Sequence, residues 1–229
     1  DFKAAAAEKA SSSKRAKQAP AKVASVKALE GEYVLTGKSM LTSGYNGVSV
    51  TVAALGTDSI AITNFWAKGY SSVLKAKVDV ATGAIIVPYQ VMGQHETYGD
   101  IVFAKTNLAD GSPTAGEAVA GVVTADGIIK LTDAWGAYVK AKPTDTKWAF
   151  FSVVNNTELE KCNAVFTGKK HTGGEIESYG VVFKQTAENV ATIKNLGDYG
   201  QTVKIELKRN KTATIPSSLM AYNSEYGDF

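Results

Sequence analysis

Cysteine is almost missing from this chain of 229 residues, where Cys162 is the one thiol. A single cysteine excludes an intrachain disulfide framework and any zinc site built on several thiolates. Histidine is nearly as scarce, and His95 and His171 stand far apart, so no metal centre is expected. No apolar run approaches the roughly 20 residues that a membrane-crossing helix needs, so no integral helical span is expected. Several motifs of common chemistries are lacking too: there is no G-x-S-x-G elbow, no Walker lysine loop and no H-E-x-x-H. What is present is ordinary globular composition, 45% hydrophobic and 21% charged, which argues against a wholly disordered chain.

The net charge of +3 hides an asymmetry. Residues 1–29 hold Lys3, Lys9, Lys14, Arg15, Lys17, Lys22 and Lys27 against only Asp1 and Glu8, which leaves the other residues slightly acidic. This leader is rich in Ala, Lys and Ser, and has little large apolar surface to offset its ordering entropy. A solvated leader over residues 1–29 is the expectation, with ordering against a partner or an anionic surface as the sharper reading. Nucleic acid is not an expected partner, because the body adds no basic face interleaved with aromatics.

From Glu30 onward the hydrophobic pattern has a period of two. Val48, Val50 and Val52 alternate with small or polar residues, as do Ile60 and Ile62, while Lys75 and Lys77 oppose Leu74, Ala76 and Val78. Such alternation buries one face of an antiparallel strand and wets the other. Turn residues separate the runs, with Asp126-Gly127 the cleanest two-residue hairpin. About ten strand candidates lie between residues 30 and 155, spaced as in a sandwich or an up-and-down barrel. The only helix-like stretch in the body is Thr157 to Lys161.

The most informative feature is self-similarity. Residues 57–79 align with 188–209, so that Asn64-Phe65 falls on Asn195-Leu196 and Val73 on Val203. Residues 84–101 align with 212–229, with Pro88 on Pro216 and Tyr98-Gly99-Asp100 on Tyr226-Gly227-Asp228. Upstream, YVLTGK (33–38) matches AVFTGK (164–169). The unit is about 130 residues, the size of a whole domain and far longer than a solenoid repeat. The expected organisation is a first β domain over 30–155, a linker over 156–162 and a second, incomplete copy over 163–229. An open half sheet leaves an unpaired edge and an apolar face. Its missing strands are therefore expected from a longer gene product, another chain or a different closure.

This pattern resembles secreted and cell-surface tandem β-domain proteins of the Bacteroidetes. The carriers are Ile62, Asn64, Phe65, Val73, Ala76, Val78, Asp79, Thr82, Gly83, Ile85, Pro88, Gln90, Tyr98, Gly99, Asp100 and Ile101. The second copy keeps Asn195, Pro216 and Tyr226-Gly227-Asp228 but has Arg209 where Asp79 stands, and lacks the Thr-Gly turn. The resemblance implies an all-β, lipocalin- or calycin-like antiparallel meander. It also implies a secreted or cell-surface location after removal of a signal peptide.

Candidate chemistry is thin. His95, near Glu96 and Asp100, could act as a general base, but both histidines read as exposed loop residues. Cys162 reads as an inert thiol. Asp100 and Asp228 recur in both copies, as do Asn64 and Asn195, and residues repeated this way serve turns and packing. Trp135 and Trp148 are expected in the core. Trp66 and Tyr70 fall in a loop of the first copy, where exposed rings could stack on sugar faces; they are the candidate ligand-binding residues. The expected function is a non-catalytic structural or interaction protein with protein partners in a surface assembly. The alternatives are a glycan-binding module using Trp66 and Tyr70, or a small-ligand carrier with a barrel cavity. No enzyme activity, cofactor or metal is expected.

Overall fold

Period-two alternation becomes strand along the body. In β4 (Val73–Asp79) the side chains of Leu74, Ala76 and Val78 are buried while Lys75, Lys77 and Asp79 face water. The structure, a computed structural model, describes residues 19–39, 45–66, 72–140, 142, 144–169, 175–198, 201–210, 212–216, 222–223 and 227–228. Before β4 come β1 (Gly31–Ser39), β2 (Tyr45–Leu55) and β3 (Ser59–Thr63). After it come β5 (Ala84–Val87), β6 (Gln90–His95), β7 (Gly99–Thr106), β8 (Pro113–Thr114), β9 (Val119–Val123), β10 (Ile129–Leu131), β11 (Trp135–Val139) and β12 (Ala149–Lys161).

These strands close a barrel, not a sandwich. Strands β1-β2-β3-β4-β5-β9-β10-β12 follow one another in pairing order, and β12 returns to β1, giving a closed antiparallel 8-strand barrel. Closure needs a strand long enough to serve two neighbours. The C-terminal half of β12 pairs β10 through Glu158 and Leu159, while its N-terminal half pairs β11 from Ala149 to Val154. Beyond β11 lie β7 and β6, and β6 reaches back to β4 through one side chain. The Gln90 amide donates to the Lys75 carbonyl at 2.8 Å, and its carbonyl accepts from the Lys75 N–H at 2.9 Å.

The lumen is filled. Phe65, Phe103 and Trp135 form an aromatic cluster with centroid separations of 4.9 to 5.8 Å. The Trp135 indole N–H donates to the buried Thr157 hydroxyl at 2.7 Å. Aliphatic side chains from Leu35, Ile60, Ile62, Leu74, Ile85 and Ile129 complete the core. This packing supplies no open ligand space among those residues.

Two expected boundaries move. Residues 19–29 are not a solvated leader: Pro20 bridges Thr124, and a short 3₁₀ turn covers Val26–Leu29. Val26 and Leu29 stand three apart, which in a 3₁₀ turn stacks side chains on one face, and both, with Val23 ahead of the turn, are buried against the barrel core. The Tyr33 hydroxyl donates to the Leu29 carbonyl at 2.8 Å, and burial pushes its pKa up to about 12. Residues 1–18 lie outside the described residues. The supposed linker 156–162, with its helix over 157–161, is mostly strand: residues 156–161 belong to β12. Thr157 and Leu159 are buried while Glu158 and Glu160 lie on the opposite face, so the strand period prevails over the helix-like reading of this stretch.

The second copy contains β13 (Ala164–Lys169), β14 (Glu175–Ala187), β15 (Val190–Lys194), β16 (Thr202–Leu207) and β17 (Ala213–Thr214), paired in that order as an open, curled half-barrel. A separate hairpin joins β18 (Tyr222–Asn223) to β19 (Gly227–Asp228). Register reproduces the first copy. Leu35↔Val48 answers Phe166↔Tyr179, and Gly37↔Tyr45 answers Gly168↔Ile176, each across a β-bulge. Val52↔Ile62 answers Phe183↔Ile193, and Ile60↔Ala76 answers Ala191↔Ile205. Even the hairpin follows: Gln94↔Asp100 answers Tyr222↔Asp228. Asn64 and Asn195 both take left-handed backbone, φ 61° and 76°, and each N–H donates across its turn at 2.7 Å, to the Ser72 and Gln201 carbonyls. Asparagine tolerates that conformation better than most residues.

Candidate interaction site

Three regions bear on function: the loop aromatics, the junction between the copies, and the open side of the second copy. Trp66 does not present its ring to solvent. It is buried with the core cluster, and its indole N–H donates to the Ser152 hydroxyl at 2.9 Å. Tyr70, its proposed partner in sugar stacking, lies outside the described residues, as does His171. Of the two tryptophans expected in the core, Trp135 is fully buried, while Trp148 lies half-exposed at the surface with the Lys140 ammonium 5.1 Å from its ring. With Tyr98, Gly99 and Asp100 these two line a cleft of about 360 Å³. Gln94 donates to the Asp100 carboxylate at 2.8 Å, and the His95 ring lies 4.8 Å from that of Tyr98. Nothing in the local sequence pairs Trp148 with Tyr98; the fold does so by bringing the β6–β7 turn beside the end of β11. Ser59 opens β3 and donates to the Asp58 carboxylate at 2.8 Å, as a turn leading into a strand requires.

At the junction the outward faces of β1, β2 and β12 meet the second copy. Val34 points away from the barrel lumen yet is fully buried, and Val182 of β14 is buried as well. Glu160 is the electrostatic centre. It pairs with Lys184 and, at 3.2 Å, with Lys194, whose ammonium also donates to the Thr36 hydroxyl at 3.3 Å. Burial alone would raise the Glu160 carboxyl, but the two ammonium groups override it and hold the carboxyl below its ordinary range. Asn195 of the second copy donates to the Gly180 carbonyl at 3.0 Å and to the Ser49 hydroxyl of the first at 3.1 Å. Cys162 sits at the hinge between copies, its N–H bonded to the Glu32 carbonyl at 2.8 Å. Burial first, then the Glu32 and Glu160 carboxylates, pushes its thiol up to about 11. A thiol so poised is mostly protonated at neutral pH and a poor nucleophile. A cavity of about 500 Å³ adjoins this junction, with Leu29, Tyr33, Glu160, Lys161, Val182 and Lys184 in its walls.

On its open side, the second copy exposes positions that are sealed in the first. Phe183 is 38% exposed where its counterpart Val52 is 1% exposed, and Ile215 is 49% exposed where Val87 is 1%. Among the described residues, no strand pairs the outer edge of β13 or of β17. Just ahead of β13, the Asn163 side chain prolongs the pairing with β14, accepting from the Phe183 N–H at 2.7 Å and donating to its carbonyl at 2.8 Å.

Among the described residues no group of three or more His, Cys, Asp or Glu is placed to hold a metal ion, and no helix is long and apolar enough to cross a membrane. No family model, curated protein or solved structure matches the chain. The architecture is consistent with a calycin- or lipocalin-like tandem β fold and with a non-catalytic binding or structural module.

Proposed function

We propose that this protein is a non-catalytic structural or interaction component of a secreted or cell-surface assembly, and that the second copy is the part that engages its protein partner. One observation carries the reading. Two copies of one fold share register strand for strand, and among the described residues only the first is closed around its core. An unpaired sheet edge beside exposed apolar side chains is a liability for a protein that acts alone and an asset for one that binds. The filled lumen of the first barrel speaks for a scaffold and against a carrier. Native mass spectrometry of the particle isolated from its source cells tests the reading, together with fractionation of the cell envelope and medium. A particle of defined stoichiometry, heavier than the 24.1 kDa chain, is expected at the surface. A lone monomer, or a cytoplasmic location, overturns it.

The Tyr98–Trp148 cleft favours a second reading, glycan recognition, because two aromatic rings flank a carboxylate and an ammonium. It differs from the Trp66 and Tyr70 pair in using rings that reach the surface. Trp148→Ala abolishing glycan-array binding would support it; silence of the unmodified protein on the array removes it.

A further inference from the structure

Resting on the glycan reading of the Tyr98–Trp148 cleft, we infer that this cleft selects a sugar that carries a carboxylate, a uronic acid unit of a polysaccharide. Lys140 holds the carboxylate, Asp100 accepts from ring hydroxyls, and Trp148 and Tyr98 lie against the sugar's apolar faces.

Strand register builds the site. Tyr138 of β11 pairs with Val102 of β7, and Val139 pairs with Ala149 of β12. Carrying both ladders just past the end of β11 sets Lys140 between Asp100 and Trp148. Gln94 of β6 extends the row on the far side of Asp100. Residues directly opposite one another on neighbouring strands share a face of the sheet. Ile101 and Val139, one place along, belong to the core, so Asp100 and Lys140 alternate onto the outer face.

The two charges of this row are held apart. Opposite charges side by side on neighbouring strands attract, yet among the described residues no ion pair joins Asp100 to Lys140. The ammonium sits over the Trp148 ring instead, and Asp100 takes the Gln94 amide on Oδ1. A ring face holds an ammonium more weakly than a carboxylate does. A ligand carboxylate therefore engages Lys140 without breaking an ion pair. The second oxygen of Asp100 remains for a hydroxyl donor and repels anions. A simple anion gains at Lys140 and loses at Asp100. A ligand with a carboxylate at one end and hydroxyls at the other gains at both.

The rings choose the scaffold. Tyr98 is 39% exposed and its ring is backed by that of His95. The C–H face of a pyranose packs on such a surface while its hydroxyls reach the polar groups beside it. The cleft of about 360 Å³ lies near the lower end of the range that small-molecule sites occupy, which suits a single sugar unit of a longer chain. An acidic peptide fits less well, because it brings negative charge to Asp100 and no hydroxyls.

Calorimetry on the full chain tests this with tetramers of galacturonic, mannuronic and glucuronic acid, each beside its methyl ester, which keeps the ring and removes the charge. At least one acid should bind about tenfold tighter than its ester, as one charge-assisted contact implies. That margin should shrink as salt rises. Lys140→Gln should bring acid and ester to equal affinity, and Trp148→Ala should weaken both. Thermal unfolding checks that each variant keeps its fold. If Trp148→Ala unfolds early, the acid–ester margin and its loss in Lys140→Gln still decide. A margin that survives Lys140→Gln, or a pentaglutamate peptide that binds as tightly as the best acid, overturns the uronic acid. Esters that bind as tightly as acids, or an array on which only neutral sugars bind, also overturn it but leave the glycan reading standing. Silence of acids, esters and array together removes both.

Discussion

Val52 and Phe183 occupy the same place in the same ladder, yet one is sealed and the other is more than a third exposed. The contrast shows that register and burial have different causes. Register follows from local features that both copies keep: the Thr-Gly bulge, the left-handed asparagine and the period-two pattern. Burial follows from what lies opposite, and the first copy has β9–β12 and the Val23–Val26–Leu29 plug to supply it. The turn at residues 81–83 makes the same point. Gly83 has φ 76°, and a Cβ there would fall 2.2 Å from the Ala21 carbonyl of the plug segment. The second copy lacks the Thr-Gly pair of that turn, and there residues 162–163 lead straight from β12 into β13 with no plug ahead of the sheet.

The largest expected difference between the copies is in opening free energy. Amides of β1, flanked on both sides, should exchange only through global unfolding. Those at the outer edge of β13 should exchange through local opening, faster by about three orders of magnitude or more. Hydrogen exchange read by mass spectrometry on matched peptides would break the comparison if β1 and β13 were protected alike.

Matched truncations sharpen it. Val87→Ala should cost about 2 kcal/mol in urea unfolding of the first copy, because a sealed core cannot relax fully around the lost methyls. Ile215→Ala, at the equivalent but exposed position, should stay within about 0.5 kcal/mol. Equal losses would mean that the second copy is closed in solution.

The asparagine pair separates turn from junction. Asn64→Ala should cost about 1 kcal/mol, the strain of a left-handed alanine. Asn195→Ala should cost about 1 kcal/mol more, since it also removes the bonds to Gly180 and Ser49. Thermal unfolding of the two variants side by side checks the difference.

Much of this architecture is legible in the sequence. Short-range patterning placed most of the barrel strands, and comparison of the copies placed the left-handed asparagines at equivalent turns. The failures share one cause, dependence on distant partners. Val23, Val26 and Leu29 look too sparse to bury anything until a barrel mouth stands opposite. Residues 157–161 look helical because Glu, Leu and Lys are good helix formers, yet Leu159 has a place only beside β1 and β10. Trp66 and Trp148 exchanged their expected settings for the same reason. Which ring is buried depends on whether Ser152 of β12 lies within reach, and only the topology decides that.

The smallest expected effect concerns the ion cluster that fastens the copies together. Glu160 is mostly buried and held between Lys184 and Lys194, so its carboxyl titrates lower in the folded protein than in the unfolded chain. A depressed carboxyl contributes stability above its unfolded pKa, and that contribution fades as pH falls through the lower folded value. Glu160→Gln should therefore cost the junction about 0.5–1 kcal/mol near neutral pH, because two ammonium groups lose their counter-charge in a site that solvent partly screens. The difference from the unmodified protein should shrink in acid, once that protein's own Glu160 is protonated. Neither the first barrel's core nor its exchange-protected amides should respond, because Glu160 points out of the lumen. Denaturant titrations of both proteins across the acid range, followed by exchange at β14, provide the check. A constant gap at every pH would mean that the lysines hold the second copy in place by packing their stems and not by charge.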